Sequence, residues 1–232
     1  QHIWGEWENH YKNLGIDCVK KIAQALYDYG ATDSSYYTKS LRVAAKKLNR
    51  SEGNLPREMW ELSYPRAFYD CVKKHCQDFD VDEYLMLALI RAESFFDPTI
   101  QSNAGANGLT QLMEATAGDI AKKLKIQVYD LNDPDMNIKF GCYYLSELIG
   151  RLKGSQILAL FAYNGGIGHV RSWQRSADLN FGMDNLPNDL FLETLPFAET
   201  RQYGRYVLGY AAVYAALYYK ESPVQVAKKI LE

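Results

Sequence analysis

The sequence lacks the features that mark several common classes of protein. No stretch approaches the roughly 20 consecutive apolar residues that a membrane-spanning helix needs. The 26 basic and 28 acidic residues are interspersed and leave a net charge of −2, so phosphate backbones would meet no extended positive face. The sequence therefore predicts no transmembrane segment and no nucleic-acid partner. Residues 1–4 also lack the basic and apolar regions of a signal peptide.

Cysteine is scarce, with four residues in a chain of 232. Cys18, Cys71, Cys76 and Cys142 are scattered, and no Cys-x-x-Cys pair occurs, which argues against structural zinc and a dense disulfide framework. A spacing of five, as between Cys71 and Cys76, directs two side chains to different faces of one helix. We therefore expect buried free thiols.

Strand-like alternation of apolar and polar residues is missing too. At most a short β-hairpin fits between Asp97 and Met113. Helical periodicity and helix-end signals predict helices over residues 16–29, 34–48, 65–79, 82–95, 116–124, 134–152, 155–163, 197–219 and 223–231. The predicted fold class is mainly α.

The chain is predicted to have two parts. The first two helices suggest a helical hairpin, with Gly30 as a left-handed C-terminal stop of the first. A polar, turn-rich segment at residues 49–56 follows and is the best candidate for the start of a boundary. We expect a helical segment over residues 1–62 and a larger domain over residues 63–232.

Aromatic residues are plentiful, at 13% of the chain with 18 tyrosines. Tyrosine suits a sugar-binding cleft, because its ring stacks on a pyranose face while its hydroxyl still reaches polar groups. For any single tyrosine, half-buried packing is the alternative interpretation.

One predicted helix carries a candidate for acid–base chemistry. Glu93 lies one turn beyond Leu89 and Ile90, on the same face as an apolar stripe. Partial burial disfavours the charged form and raises the pKa of a carboxyl group, which lets it stay protonated near neutral pH as a general acid must. The alternative is a glutamate at a helix end that reaches water.

Two glycine-containing segments are candidates for close approach to a ligand. After Asp97-Pro98 stops the helix, residues 102–108 offer little side-chain bulk. Residues 162–166, Ala-Tyr-Asn-Gly-Gly, end an apolar helix with a phenol and an amide before a flexible turn. Simple C-capping by glycine is the alternative for the second segment.

Four motifs resemble, in order, those of lytic transglycosylases with the soluble-type, goose-lysozyme-like catalytic domain. They are Arg-Ala-Glu-Ser at 91–94, Ser-Asn-Ala-Gly-Ala-Asn-Gly-Leu-Thr-Gln-Leu-Met at 102–113, the segment at 162–166, and Pro-Phe-Ala-Glu-Thr-Arg-Gln-Tyr at 196–203. Each motif alone is weak, but four in sequence are highly specific. The resemblance runs from about residue 64 to about residue 219. It implies a lysozyme-like catalytic domain over residues 63–232, whereas residues 1–62 resemble more loosely the superhelix that precedes this domain in larger members.

The resemblance carries roles over to individual residues. It makes Glu93 the catalytic acid/base and gives Ser94 a supporting role. Among the substrate-binding residues, Tyr163 is expected to place its hydroxyl near the reacting sugar, Asn164 to shape its turn, and Glu199 to give hydrogen-bonding support. The full set of expected substrate-binding residues is Ser102, Gln111, Met113, Tyr163, Asn164 and Glu199.

The chain departs from the family pattern at three positions. Thr110 and Glu114 stand where methionine and proline are usual, and Gly165 stands where alanine is usual. We expect these changes to be peripheral to the chemistry and to affect the fit of the sugar.

The resemblance implies cleavage of the bond between N-acetylmuramic acid and N-acetylglucosamine in peptidoglycan, with 1,6-anhydro product ends. Only one glutamate and no cofactor is expected, because the substrate supplies the nucleophile. A lysozyme-type hydrolase and a non-catalytic glycan-binding scaffold are the alternatives. The resemblance also implies a periplasmic or cell-envelope location, and the N-terminal helices are candidates for recruiting a protein partner.

No metal site is expected. The acid-rich segment 130–135 lacks the glycine that a calcium loop needs at its sixth place, and Gly141 stands where the bidentate glutamate would be. Helix capping ahead of Pro134 is the preferred interpretation. His75 and His169 are expected to be isolated from other ligand-type residues, so packed or solvated histidines are predicted.

Overall fold

A computed structural model of the chain describes residues 11–49, 55–181 and 186–232. The chain divides into two compact units, the first ending at Ala67 and the second beginning at Phe68. The domain boundary proposed from the sequence, between residues 62 and 63, falls inside the last helix of the first unit. Residues 50–54 of the turn-rich segment lie outside the described residues. The relation of the first unit to a superhelical domain stays a prediction.

The first unit contains three described helices, α1 (Ile16–Tyr29), α2 (Ser35–Leu48) and α3 (Arg57–Ser63). The two longer helices pack together as a hairpin, and α3 lies against both. Their shared core includes Val19, Val43 and Met59, which are almost fully buried. The periodicity of the sequence therefore predicted this pair correctly.

The role predicted for Gly30 is wrong. Its φ of −56° is right-handed, so no left-handed stop is formed. Glycine is instead required for space, because a Cβ atom at Gly30 would lie 2.5 Å from the ring of Tyr37. The close approach of α2 to the end of α1 thus replaces the expected backbone explanation.

The second unit is built around one buried helix. Residues Tyr84 to Ser94 of α5 are largely buried, including Arg91, and α5 packs against α11. The helices of this unit are α4 (Tyr69–Phe79), α5 (Glu83–Ser94), α6 (Glu114–Leu124), α7 (Pro134–Arg151), α8 (Gln156–Gly165), α9 (Ile167–Phe181), α10 (Asn188–Thr194), α11 (Ala198–Tyr214) and α12 (Pro223–Leu231). The prediction of a mainly α fold is confirmed.

Three helices were missed, and several helix ends differ from the predictions by a few residues. The helix expected from residue 65 begins at Tyr69, because Phe68 adopts a left-handed conformation with φ 57°. Helices α3, α9 and α10 were missed, since two are short and α9 carries polar residues around much of its surface. The last long helix ends at Tyr214 and continues as a π-helical turn over Ala215–Tyr219.

A two-stranded hairpin follows α5 within the predicted window. Strand β1 (Ala106–Asn107) pairs antiparallel with β2 (Leu112–Met113). The turn needs glycine at position 108, where φ is +74° and a Cβ atom would collide with Asn137 and the carbonyl of Leu131. The hairpin thus holds the second motif against α7.

The acid-rich segment caps α7, as predicted. The Asp133 carboxylate accepts a hydrogen bond from the Met136 backbone N–H at 3.2 Å. Buried His75, by contrast, is not isolated, because its ring nitrogens lie 3.3 Å from Asp78 and 2.9 Å from Asp135. Over residues 11–49, 55–181 and 186–232 no cluster of three or more acidic, histidine or cysteine side chains is arranged to hold a metal ion.

The four cysteines are free. Cys76 and Cys142 are buried and bring their Sγ atoms to 3.9 Å from each other across α4 and α7. Among the described helices, none is both long and apolar enough to cross a membrane.

Candidate active site

The end of α5 fixes the candidate acid. The helix stops at Ser94, one residue before the predicted end at residue 95, because Phe95 and Phe96 adopt left-handed conformations. The Ser94 hydroxyl donates to the Ile90 carbonyl at 3.0 Å and accepts from the Phe96 N–H at 3.1 Å. Ser94 thus stabilises the turn that orients the preceding residue, Glu93.

Glu93 lies in an environment that favours its neutral form. Burial raises the pKa of its carboxyl from 4.5 to about 7, the nearby Tyr203 hydroxyl lowers this pKa, and the charge of Glu199 raises it. Its place in the last turn of a helix adds to the effect, since a helix C-terminus disfavours negative charge. At neutral pH the carboxyl group is therefore poised between its two protonation states.

Two buried phenols accompany Glu93. Burial, together with the charge of Glu93, raises the pKa of both Tyr163 and Tyr203 well above the ordinary value. The Tyr203 hydroxyl faces the glutamate but makes no hydrogen bond of ordinary geometry with described residues. The Tyr163 hydroxyl donates to the Thr110 carbonyl at 2.9 Å. The Tyr203 hydroxyl can therefore donate its proton in a hydrogen bond to Glu93. The Tyr163 hydroxyl instead holds the loop that contains Thr110.

The loop between α5 and α6 carries three predicted substrate-binding residues. Its shape depends on two of them, since the Ser102 Oγ accepts from the Ala106 N–H at 3.0 Å and the Gln111 amide donates to the carbonyls of Ile100 and Gly108. Gln111 itself is left-handed, with φ 48°. Met113, the third, is 44% exposed. The hydrogen bonds of Ser102 and Gln111 thus stay within the loop, and Met113 offers an apolar surface.

Asn137 on α7 is an organising residue that sequence reasoning missed. Its buried side chain accepts from the Thr110 N–H at 2.8 Å and hydroxyl at 2.7 Å, and donates to the Asn107 and Leu131 carbonyls. Gly141, one turn later, lets Thr110 approach, because a Cβ atom there would lie 2.7 Å from its side chain. The available signal was an amide and a glycine four residues apart on an otherwise apolar face.

Thr110, where the family usually has methionine, was expected to be peripheral to the chemistry. The structure places it next to the candidate site. Its side chain is fully buried against Asn137, and its carbonyl holds the Tyr163 hydroxyl. The substitution of threonine for methionine thus belongs to the scaffold that orients Tyr163.

Two further predicted substrate-binding residues, Asn164 and Glu199, lie where α8 meets α11. The Asn164 side chain accepts from the Thr200 hydroxyl at 2.8 Å, which joins the end of α8 to the start of α11. Glu199 is exposed in the first turn of α11, and its charge acts on Glu93. Tyr203 follows Glu199 by four residues on the same helix, a spacing that could have identified it.

The geometry brings Glu93, Tyr163, Tyr203 and Glu199 into one electrostatic group. Two cavities of about 450 and 500 Å³ lie elsewhere in the second unit and are lined by other residues. Glu93 is thus distinguished by its chemistry, because a buried carboxyl with a pKa near 7 can both donate and accept a proton at neutral pH.

The chain is similar in sequence to known proteins. Residues 70–180 match the family model described as Transglycosylase SLT domain. The soluble lytic murein transglycosylase of Escherichia coli (strain K12) is 34% identical over 158 residues, which cover 66% of this chain and 24% of that protein. The chain thus spans about a quarter of the length of this relative.

Two solved structures have the same fold over nearly the whole chain. An inactive mutant of the lytic transglycosylase Slt from Pseudomonas aeruginosa is 28% identical, with a TM-score of 0.76 over 94% of this chain and 33% of that one. The 70 kDa soluble lytic transglycosylase of Escherichia coli is 29% identical, with a TM-score of 0.73 over 95% of this chain and 33% of that one. The predicted resemblance and the lysozyme-like fold are confirmed.

Proposed function

We propose that this chain, whose residues 70–180 match the model of the transglycosylase SLT domain, is a lytic transglycosylase that cleaves the glycan strands of peptidoglycan. The observation that carries the proposal is the buried carboxyl of Glu93, whose pKa of about 7 suits a group that acts first as acid and then as base. The similarity of the chain to named lytic transglycosylases supports the same assignment.

In the first step, Glu93 donates its proton to the glycosidic oxygen between N-acetylmuramic acid and N-acetylglucosamine. The bond from the muramyl C1 to that oxygen breaks, and the N-acetylglucosamine side leaves with the proton. The oxygen of the muramyl 2-acetamido group stabilises the electron-poor C1, so no second protein carboxylate is required as nucleophile.

In the second step, the ionised Glu93 takes the proton of the muramyl C6 hydroxyl. The O6 atom then bonds to C1 and closes a 1,6-anhydro ring, which returns Glu93 to its protonated state. No water is consumed in the cycle. A carboxyl group with a pKa near neutrality serves both steps, because neither of its protonation states is strongly disfavoured.

The phenol of Tyr203 supports the second step. Its hydroxyl faces Glu93 and lowers the pKa of the carboxyl, so it stabilises the carboxylate that forms after the first proton transfer. Tyr163 has a different role, because its hydroxyl already donates to the Thr110 carbonyl. We propose that Tyr163, with Asn164, shapes the wall beside the reacting sugar, and that Ser102, Gln111 and Met113 border the sugar on the loop side.

A hydrolase is the competing function, and Glu199 is the observation that favours it. An ordinary glycosidase needs a second carboxylate about 5 to 9.5 Å from the acid to act as nucleophile or to activate water. The negative charge of Glu199 acts on Glu93, and Glu199 is exposed enough to reach water. In the transglycosylase, Glu199 instead tunes the pKa of Glu93.

Peptidoglycan as substrate places the protein in the cell envelope, in a periplasm. Residues 1–62 are proposed as the end of a superhelical domain whose helices recruit a protein partner. Both statements extend the proposed activity.

Digestion of intact sacculi tests the function. The proposal predicts that wild-type protein releases muropeptides with 1,6-anhydro ends, which are one water lighter than reducing ends, and that release by Glu93→Gln falls by about 10²-fold or more. Reducing ends would support the hydrolase, and their loss in Glu199→Gln would identify its second carboxylate. A lack of products with wild-type protein would leave the non-catalytic scaffold.

A further inference from the structure

Two buried cysteines of the second unit meet between α4 and α7. The Sγ atoms of Cys76 and Cys142 lie 3.9 Å apart, although the residues are 66 positions apart in the chain. Cys76 is 2% exposed and Cys142 is 0% exposed. The helices that carry them pack against each other. The fold therefore brings together two thiols that the sequence keeps far apart.

The other two cysteines have different surroundings. Cys18 is exposed on α1 in the first unit. Cys71 lies on α4 beside Asp135, and burial together with that carboxylate raises the pKa of its thiol. A spacing of five residues directs Cys71 and Cys76 to different faces of α4. Cys142 is therefore the partner that the geometry gives to Cys76.

A short movement would convert this contact between thiols into a covalent bond. The sulfur atoms of a disulfide lie about 2.05 Å apart, so each Sγ atom has to approach by about 1 Å. Rotation of each side chain by a few tens of degrees about its Cα–Cβ bond supplies this movement. Because α4 and α7 already pack together, no large backbone rearrangement is required.

Burial decides when such a bond can form and how long it lasts. Only a thiolate attacks a disulfide, and burial raises the pKa of the Cys142 thiol well above its ordinary value, with a further contribution from Cys76. The folded thiols therefore react slowly, whereas those of the unfolded chain are accessible. A bond that forms before α4 and α7 pack is then shielded from reductants in the core.

We propose that Cys76 and Cys142 form a disulfide bond that fastens α4 to α7. This inference rests on the proposed function, because peptidoglycan lies outside the cytoplasm, where disulfides form and persist. The oxidant is another disulfide, either of a protein thiol oxidase or of oxidised glutathione.

The bond forms by two exchange steps as the chain folds. The Cys76 thiolate attacks one sulfur of the oxidant, and the other sulfur of the oxidant leaves as a thiolate. The Cys142 thiolate then attacks the Cys76 Sγ atom and expels the remaining sulfur of the oxidant. The chain loses two protons and two electrons, and the oxidant gains both and becomes a pair of thiols.

The bond fastens the support of the candidate active site. Asn137 and Gly141 of α7 hold Thr110, and Cys142 directly follows Gly141. Helix α4 leads into α5, which carries Glu93 in its last turn. The bond also closes a long loop of the chain, and cross-links of long loops restrict the unfolded state most strongly.

Counting thiols tests the bond directly. The chain is exported to the periplasm of a bacterial host, purified without reductant, unfolded in iodoacetamide and digested for mass spectrometry. We expect two of the four cysteines to be alkylated, and one pair of peptides to be joined through Cys76 and Cys142. Alkylation of all four cysteines would overturn the inference, and so would a bond between any other two.

Thermal unfolding tests whether the bond stabilises the unit. Wild-type protein that is reduced in denaturant and refolded with dithiothreitol should have a Tm about 5 to 15 °C below that of the oxidised protein. The Cys76→Ala/Cys142→Ala variant should not respond to the reductant. The Cys18→Ser/Cys71→Ser variant is the matched control and should respond as wild type does. Equal responses of the two variants would contradict the inference.

Digestion of sacculi by the same preparation separates this inference from the proposed function. Release of anhydro muropeptides by a protein with four free thiols would overturn the disulfide and uphold the function. A joined pair of cysteines in a protein that releases no products would uphold the disulfide and count against the function.

Discussion

The two glutamates of α5, Glu83 and Glu93, are both partly buried, but they differ in their hydrogen-bond partners. Glu83 lies in the first turn, and Glu93 lies in the last. Glu83 accepts hydrogen bonds from the Tyr69 hydroxyl at 2.8 Å and the Tyr219 hydroxyl at 2.6 Å. The Tyr203 hydroxyl, which faces Glu93, makes no hydrogen bond of ordinary geometry with the described residues. The two ends of one helix therefore hold one structural carboxylate and one reactive carboxyl.

The comparison teaches that burial alone does not create a catalytic acid. The helix dipole stabilises negative charge at the N-terminal end and opposes it at the C-terminal end. Two tyrosine hydroxyls donate hydrogen bonds to Glu83, whereas burial dominates at Glu93 and raises its pKa to about 7. Because burial outweighs the effect of the Tyr203 hydroxyl, the proton of Glu93 stays available near neutral pH.

The largest expected effect is on catalysis. Replacing Glu93 by Gln removes the proton that the reaction needs, so release of muropeptides from sacculi should fall by about 10²- to 10⁴-fold. Glu83→Gln is the matched control, since it makes the same chemical change at the other end of α5. Its rate is expected to stay within a few-fold of wild type once the folded fraction is measured by circular dichroism. Similar losses of activity in both variants would contradict the distinction between a reactive Glu93 and a structural Glu83.

Stability should change in opposite directions in the same two variants. Glu93 holds its proton more tightly in the folded than in the unfolded protein, so its contribution to stability is lost as the pH rises from about 4.5 to about 7. Glu93→Gln should therefore raise the free energy of unfolding by about 1–3 kcal/mol at pH 8 and leave it unchanged at pH 4.

Glu83→Gln should lower the free energy of unfolding at pH 8 by about 1–2 kcal/mol, because it weakens two hydrogen bonds to a charged acceptor. Urea denaturation of both variants at pH 4 and pH 8 provides the measurement. A Glu93→Gln protein that is less stable than wild type at pH 8 would mean that the carboxylate is favoured in the folded state.

Removing the Tyr203 hydroxyl tests its effect on the pKa of Glu93. The hydroxyl lowers the pKa of the carboxyl, so Tyr203→Phe should raise this pKa and move the alkaline fall in activity to higher pH. The pH dependence of the cleavage rate provides the readout. An unchanged profile would show that Tyr203 does not contact the carboxylate during the reaction.

The smallest effect is expected from Glu199→Gln. The charge of Glu199 raises the pKa of Glu93, so its removal should move the alkaline fall to lower pH while substantial activity remains. The two pH profiles should thus shift in opposite directions from wild type. Complete loss of activity in Glu199→Gln would instead support the hydrolase.

Much of the fold was predictable because it depends on local patterns. The bounds of α1 and α12 match their predicted segments, since apolar periodicity and a proline at the helix start are properties of the adjacent sequence. The position of Glu93 at the end of an apolar stripe was predictable for the same reason. The polar surface of α9 gave no such stripe, and that helix was missed.

The features that distinguish Glu93 from Glu83 were not predictable from the local sequence. Tyr219 reaches Glu83 from 136 positions away. Tyr203 reaches Glu93 only because α11 packs along α5. Asn137, which holds the loop of Thr110, likewise acts across 27 positions. Such pairings depend on how helices pack, and the periodicity of a single helix does not encode its partners.

Titration of the Glu93 carboxyl tests the central claim most directly. Protein labelled with ¹³C at glutamate side-chain carboxyls can be followed by NMR across the pH range, with Glu93→Gln used to assign the resonance. The structure predicts a midpoint of about 7 for this carboxyl. A midpoint near the ordinary value of 4.5 would contradict the account, because an ionised Glu93 could not deliver the first proton at neutral pH.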